Sequence, residues 1–211
     1  MKITIGGEEL ELLPQKALYW PKAHILVVAD LHLGKAAAFR AAGIPIPEGD
    51  MQRDLAALQK IIETKNAERC IIVGDLVHHR TGMKEHTLQI IEAWMEALPC
   101  ALDLVLGNHD IALKSVPHAH WKLRVHSNML NIKPFVFSHH PCESSEGYVL
   151  SGHVHPQASI KVGNKYHRFP CFSFQENCGI LPAFSSFAGG TSVDISQGDT
   201  YICIGDKVLP I

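Results

Sequence analysis

Three apolar runs in the first half of the chain, HILVVAD, RCIIVGD and ALDLVLGNHD, set the narrowest limits on the fold. Each is short, almost wholly apolar, and closed by Asp, Gly-Asp or Gly-Asn. A half-buried strand alternates apolar with polar residues, so runs without alternation need apolar cover on both faces, as strands of a parallel sheet do. Between them lie GDMQRDLAALQKIIETKNA and GMKEHTLQIIEAWMEALP. The first has helical spacing at Leu55, Leu58, Ile61 and Ile62, with Asp50 as its expected cap. The second is amphipathic and is closed by Pro99. Strands alternating with helices predict a mostly parallel sheet with helices outside it.

The second half reads differently. KPFVFSHH, YVLSGHVH, ASIKVGNKYHRFPCFSF and TYICIGDKVLPI are short strands parted by turns, with Gly163-Asn164 as a hairpin turn. A second, mixed sheet is expected. The fold class is therefore α/β: two facing mixed sheets flanked by helices, with residues 1–211 read as one domain. At 46% hydrophobic over 211 residues the chain can bury such a core unaided.

Composition excludes several classes of function. A formal net charge of −2 leaves no global footprint for nucleic acid, although one local patch would suffice. Cys70, Cys100, Cys142, Cys171, Cys178 and Cys203 form no CxxC pair, and several lie in apolar strands, so they read as reduced, buried small residues. No apolar run approaches the roughly 18 residues of a membrane span, and MKITIGGEELELLP has no signal-peptide core. A cytoplasmic protein without a membrane partner is expected.

Polar residues collect where the strands stop. The ends carry Asp30 and His32, then Asp75, then Asn108, His109 and Asp110, then His139 and His140, then His153 and His155. If the strand YVLSG ran on through SGHVHP, its two histidines would point to the same side. In open α/β sheets the carboxyl ends of strands share one edge, where ligand crevices form. Any one such residue is ordinarily a turn cap or a half-exposed polar group. Carboxylate, imidazole and amide at every strand end together suit hard-to-borderline divalent ions such as Mn2+, Fe2+ or Zn2+. These groups exceed the needs of one ion, and two ions sharing a carboxylate would use seven of them.

DLH, GD, GNHD, a later H and GHVH, in this order from Asp30 to His155, resemble the five blocks of the calcineurin-like metallophosphoesterases. The resemblance implies an α/β/β/α sandwich with two divalent metal ions, Mn2+ foremost. It implies that Asp30, His32 and His155 hold the first ion, that Asp75 bridges, and that Asn108, His139 and His153 hold the second. His109 would then be the general acid beside the phosphate, with Asp110 either orienting it or capping a turn. LHLGKAAAFRAAGIPIPEG, GDLVHHR, SHHPC, LSGHVHP and RFPCFSF…GILPAFSSFAGG are similar to a narrower group, the bacterial ligase-associated DNA damage response endonucleases. That group implies DNA as substrate, and a DNA ligase, a helicase and a second nuclease as partners in repair. A homodimer stays open.

One position departs from the superfamily's protein phosphatases, which carry an acid three places after the bridging Asp. Here it is His78, followed by His79 and Arg80. Lys35, Arg40, His78 and Arg80 are the candidates for substrate contact, since cations beside an anionic substrate are reasonable. The expected chemistry is in-line attack of water on phosphorus, with His109 protonating the leaving alkoxide. A small-molecule phosphatase or cyclic-nucleotide phosphodiesterase is the alternative, on the same ligands. A non-catalytic scaffold is disfavoured because every expected position holds a competent side chain.

Overall fold

The computed structural model describes residues 1–115 and 119–211. Its first sheet follows chain order: β1 (Lys2–Ile5), β2 (Glu8–Leu13), β3 (Ala17–Trp20), β4 (Ile25–Val28), β5 (Arg69–Val73), β6 (Ala101–Val105) and β7 (Leu123–His126). β1 to β4 pair antiparallel, and β4 to β7 pair parallel. The parallel connections between β4, β5 and β6 run through α1 (Lys35–Ala41), α2 (Asp50–Lys65) and α3 (Glu85–Ala97). Asp50 is the first residue of α2 rather than its cap. Gly49 takes the cap position in a left-handed conformation, and Asp50 places its charge in the first turn, where the helix dipole favours it.

The second sheet holds β8 (Met129–Ile132), β9 (Phe135–Ser138), β10 (Tyr148–Ser151), β11 (Pro156–Val162), β12 (Lys165–Phe174), β13 (Cys178–Ile180), β14 (Thr191–Ser192), β15 (Asp199–Ile204) and β16 (Lys207–Pro210). It is mixed: β9, β10 and β13 pair parallel, and β11 and β12 form an antiparallel hairpin about Gly163-Asn164. Among the described residues no helix is long and apolar enough to cross a membrane.

Strand alternation explains how the layers join. Leu26, Val28, Cys70, Ile72, Leu102 and Leu104 face α2 and α3, where they meet Leu55, Leu58, Ile62, Ile91 and Trp94. The intervening Val27, Ile71, Val73 and Val105 face the second sheet and pack on Phe135, Phe137, Leu150 and Phe172. The strands that read as continuously apolar are thus those with a packed layer on each side. These two cores fix the carboxyl ends of β4, β5, β6, β9 and β10 against one another.

One acid interrupts this pattern. Asp103, in the middle of β6, is fully buried and accepts from Arg69 Nε at 2.7 Å and Arg124 Nη2 at 2.8 Å, with His126 Nε2 at 2.6 Å. Burial alone would raise its pKa, but hydrogen bonds from Arg69 and His126 and the charges of Arg69 and Arg124 outweigh it and hold the carboxyl below the usual range. A depressed folded pKa contributes stability that is present above the unfolded value of about 4 and is lost as pH falls through the folded one. Asp103→Asn is therefore expected to lower the urea midpoint at neutral pH, and to flatten its decline below about pH 4 relative to wild type. An unchanged acid limb in the variant would show that Asp103 carries no linkage.

Candidate metal centre

Non-glycine residues seldom adopt a left-handed backbone, which crowds Cβ against the following carbonyl. Among the described residues eight do, and five of the eight are Asp30, His32, Asp75, His153 and His155. The chain turns sharply as it leaves each strand, and these side chains swing into a shared cleft. His153 and His155 therefore do not extend β10, which ends at Ser151. They leave it on a bent segment, so they are free to part.

They do part. His155 Nε2 lies 3.2 Å from His32 Nε2 and 3.5 Å from Asp30 Oδ1. His153 Nδ1 lies 3.2 Å from His139 Nε2, which is 3.0 Å from Asn108 Oδ1. Asp75 stands between the groups, with Oδ2 at 3.9 Å from His32 Nε2 and 3.6 Å from His139 Nε2. Ligand atoms about 2.0–2.2 Å from one ion stand roughly 3–3.5 Å apart. The two groups approach that spacing, with ring nitrogens facing one another and facing carboxylate or amide oxygens. Buried lone pairs aimed at each other without a donor are costly, and a cation relieves the cost. The donor set thus fits divalent metal.

Two of the imidazoles are shifted towards the neutral form that ligates. Burial first, then the neighbouring His155, holds His32 down at about 2, so its imidazole is neutral and able to ligate. Burial and the adjacent His140 and His139 lower His153 as well. Burial opposes charge on His155, but Asp30 and the Gly189 carbonyl, 3.0 Å from Nδ1, outweigh it and raise the value. A carbonyl only accepts, so Nδ1 carries the proton and Nε2 faces the cleft.

Two glycines make the close approach feasible. A Cβ on Gly74, immediately before Asp75, would strike the His139 imidazole, and one on Gly107 would strike the Asp75 carboxylate. The GD and GN pairs, ordinary turn chemistry when read singly, are steric requirements of this cleft.

Beside it, His109 stacks on His78 at 4.8 Å between ring centroids, and meets His32 edge-on at 5.1 Å. His109 Nδ1 donates to the His78 carbonyl at 2.8 Å, and the His109 backbone N–H donates to Asp75 Oδ1 at 2.8 Å. Asp110 does not orient this ring. Its buried carboxylate accepts from Val77 N at 3.1 Å and Gly107 N at 2.8 Å, the contacts of a turn cap. Lys35 is half-buried, with burial lowering its pKa and Asp75 opposing that. Arg40 is turned away, donating to the carbonyls of Ile46 and Pro47 and lying 3.8 Å from Glu48. Arg80 is exposed in a short helical turn.

Sequence reasoning gave no role to three neighbours. His140 forms a ligand-capable group with His139 and His153, its ring 4.2 Å from that of His153. Phe39 and Phe187 meet edge-on at 5.6 Å, and the Lys35 ammonium sits 5.9 Å from the Phe187 ring. The doubled histidine in SHHP and the aromatic in FSSFAGG were visible, but neither has a spacing that points to chemistry.

A family model, calcineurin-like phosphoesterase, matches residues 23–171. The chain belongs to this family. It is a metal-dependent phosphoesterase, and Asp30 to His155 fall within the matched span. The crystal structure of Pseudomonas putida nuclease MPE is 33% identical over 100% of this chain and 99% of that one, with a TM-score of 0.86. An archaeal phosphodiesterase is 14% identical over 89% and 98%, with a TM-score of 0.42. Yfce, a phosphoesterase from E. coli, is 11% identical over 87% and 90%, at 0.39. A comparison with curated proteins gave no match.

Because Asp75 Oδ2 faces both groups, Asp75→Asn should empty the phosphoesterase more thoroughly than the loss of any one histidine. Metal analysis of the purified variant is expected to give less than half the wild-type content. Retention of the full content would remove Asp75 from the ligand set.

Proposed function

We propose that the protein is a two-metal phosphodiesterase that cuts the backbone of DNA, with Mn2+ as its working metal. The observation that carries the reading is the full-length likeness to a nuclease at 33% identity. The split of the donors into two groups around Asp75 supports the count of ions. Asp30, His32 and His155 would hold one, Asn108, His139 and His153 the other, and Asp75 both. Bound there, such ions supply Lewis acidity towards phosphate oxygens and lower the pKa of the attacking water.

The chain's own residues do the rest. His109 has Nδ1 fixed by the His78 carbonyl and its plane fixed by the stacked His78 ring, so its Nε2 edge is the one available to pass a proton to the leaving alkoxide. Burial, then the adjacent His109, lowers His78 to about 4, so it stacks as a neutral ring that adds no repulsion when His109 is charged. Lys35 adds a cation on the side of the cleft lined by Phe187. The ligase-associated resemblance supports a role in DNA repair, with a ligase, a helicase and a second nuclease as companions in the cytoplasm.

The deciding assay uses chelator-stripped protein, with and without Mn2+, on plasmid, single-stranded DNA, a small phosphomonoester and a small phosphodiester. Mn2+-dependent cleavage of DNA is the expected result. Hydrolysis of the small esters alone would move the substrate to a metabolite. His109→Ala is expected to slow DNA cleavage by about 10²–10⁴ while keeping wild-type metal content. Loss of metal in that variant would assign His109 to the ligands instead of to proton transfer.

A further inference from the structure

The hairpin of β11 and β12 starts one residue after His155 and leaves the sheet that bears it. β11 has a second neighbour only at Pro156 and Gln157, which pair with β14. β12 gains its other neighbours only from Cys171 onward. The outer part, Ser159–Val162 with Lys165–Arg168, is a bare two-stranded ribbon. Such ribbons are marginal alone, and this one adds little to the core, so the stability of the fold does not account for it.

Its composition is one-sided. Residues 147–175 contain no Asp or Glu, although the chain has 21 acids in 211 residues. The ribbon carries Lys161, Lys165 and Arg168, and none of these forms an ion pair among the described residues. Tyr166 is 70% exposed. Register sorts the side chains: Gln157 opposes Pro170, Ser159 opposes Arg168, and Lys161 opposes Tyr166, so all six lie on one face. Ala158, Ile160 and Phe169, on the other face, join the small apolar cluster around Cys171 and Ile202. At the base of the first face, Gln157 and Pro170 line a cavity together with His155, Lys16 and Gly189. The cationic and aromatic face is thus continuous with the rim of the metal centre and runs about 20 Å outward from it.

We propose that this face of the β11–β12 ribbon binds the single-stranded polynucleotide flanking the scissile phosphate. Lys161 and Arg168 contact phosphates, and Tyr166 stacks on a base. Cations interleaved with an exposed aromatic ring along a track form the usual platform for single strands, because every base offers a π-face. The proposal rests on the polynucleotide reading above and adds where the strand runs.

The test compares wild type with Lys161→Ala/Tyr166→Ala/Arg168→Ala in two assays. The first is Mn2+-dependent hydrolysis of a small phosphodiester, which is too short to reach the ribbon. It is expected to stay within twofold and so reports an intact fold and site. The second is affinity for labelled single strands of about 16 nucleotides, measured in an Asp75→Asn background so that the strand stays uncut. Here a loss of tenfold or more is expected. The slope of log affinity against log salt should also flatten by about 1.4, or 0.7 for each of two phosphate contacts. Lys165→Ala, on the opposite face, should change affinity by no more than twofold. Unchanged affinity and slope in the triple variant would overturn the proposal, as would an equal loss in Lys165→Ala or a parallel loss in both assays. A change of oligomeric state by light scattering with affinity retained would assign the ribbon to a second copy of the chain, and overturn it also. Wild-type protein that hydrolyses the small diester but binds no single strand would show that the polynucleotide reading itself had failed.

Discussion

Oδ2 of Asp75 lies 3.9 Å from His32 Nε2 and 3.6 Å from His139 Nε2, while Oδ1 is held at 2.8 Å by the backbone N–H of His109. The carboxylate is buried and cannot rotate without losing that bond. Around it are imidazoles whose ring nitrogens face one another at 3.2 Å. Polar atoms packed this closely are costly unless each finds a partner, because a desolvated polar group left unpaired loses its hydration and gains nothing in return. Much of the surrounding architecture serves to hold them together. Gly74 and Gly107 let His139 and Asp75 come close, and Asp110 caps the turn that carries Asn108 and His109.

The left-handed backbone at Asp30, His32, Asp75, His153 and His155 has the same origin. Each such residue costs about 1–2 kcal/mol relative to an ordinary conformation. Five together are a sizeable share of the ~5–15 kcal/mol net stability of a typical domain. Strain of that kind persists only where the rest of the structure over-determines it. Here the constraint comes from the two cores. β4 and β5 are pinned on one face by α2 and α3, and on the other by Phe135, Phe137 and Phe172 of the second sheet. Strand ends held this firmly can support turns that a loop could not. That is the physical reason the donors sit at strand ends.

This also explains what could be read from the sequence. HILVVAD and RCIIVGD were legible because burial on two faces removes alternation, and the polar residue after each was legible because a strand end in a parallel sheet has a known edge. The hydrogen-bond partners of His109 and Asp110 were not. Both follow Asn108, and only the fold shows the His78 carbonyl reaching His109 while Asp110 turns inward to Val77 and Gly107. Arg40 looked like a substrate cation by its place after the first block, yet it secures the loop at Ile46 and Pro47. Asp103 was passed over within ALDLVLG because its partners Arg124 and His126 arrive from β7, an edge strand with no strong pattern of its own. Side-chain partners brought together across long separations leave no local trace.

Charge ties the centre to its substrate. The seven donors comprise two carboxylates, an amide and four imidazoles, so with neutral histidines they carry −2. Two divalent ions would leave the cluster at +2, with Lys35 beside it. The chain as a whole has 19 Lys and Arg against 21 Asp and Glu, a net of −2. A phosphodiester therefore has no general reason to approach this surface, only a local one. The acid-free segment that begins beyond the centre extends this positive region along the ribbon. On the proposed reading a substrate with a single phosphate would meet only the centre and Lys35, whereas a polyanion would also meet Lys161 and Arg168. On a near-neutral protein that difference would be a sufficient basis for preferring a polynucleotide over a small ester, without any base being read.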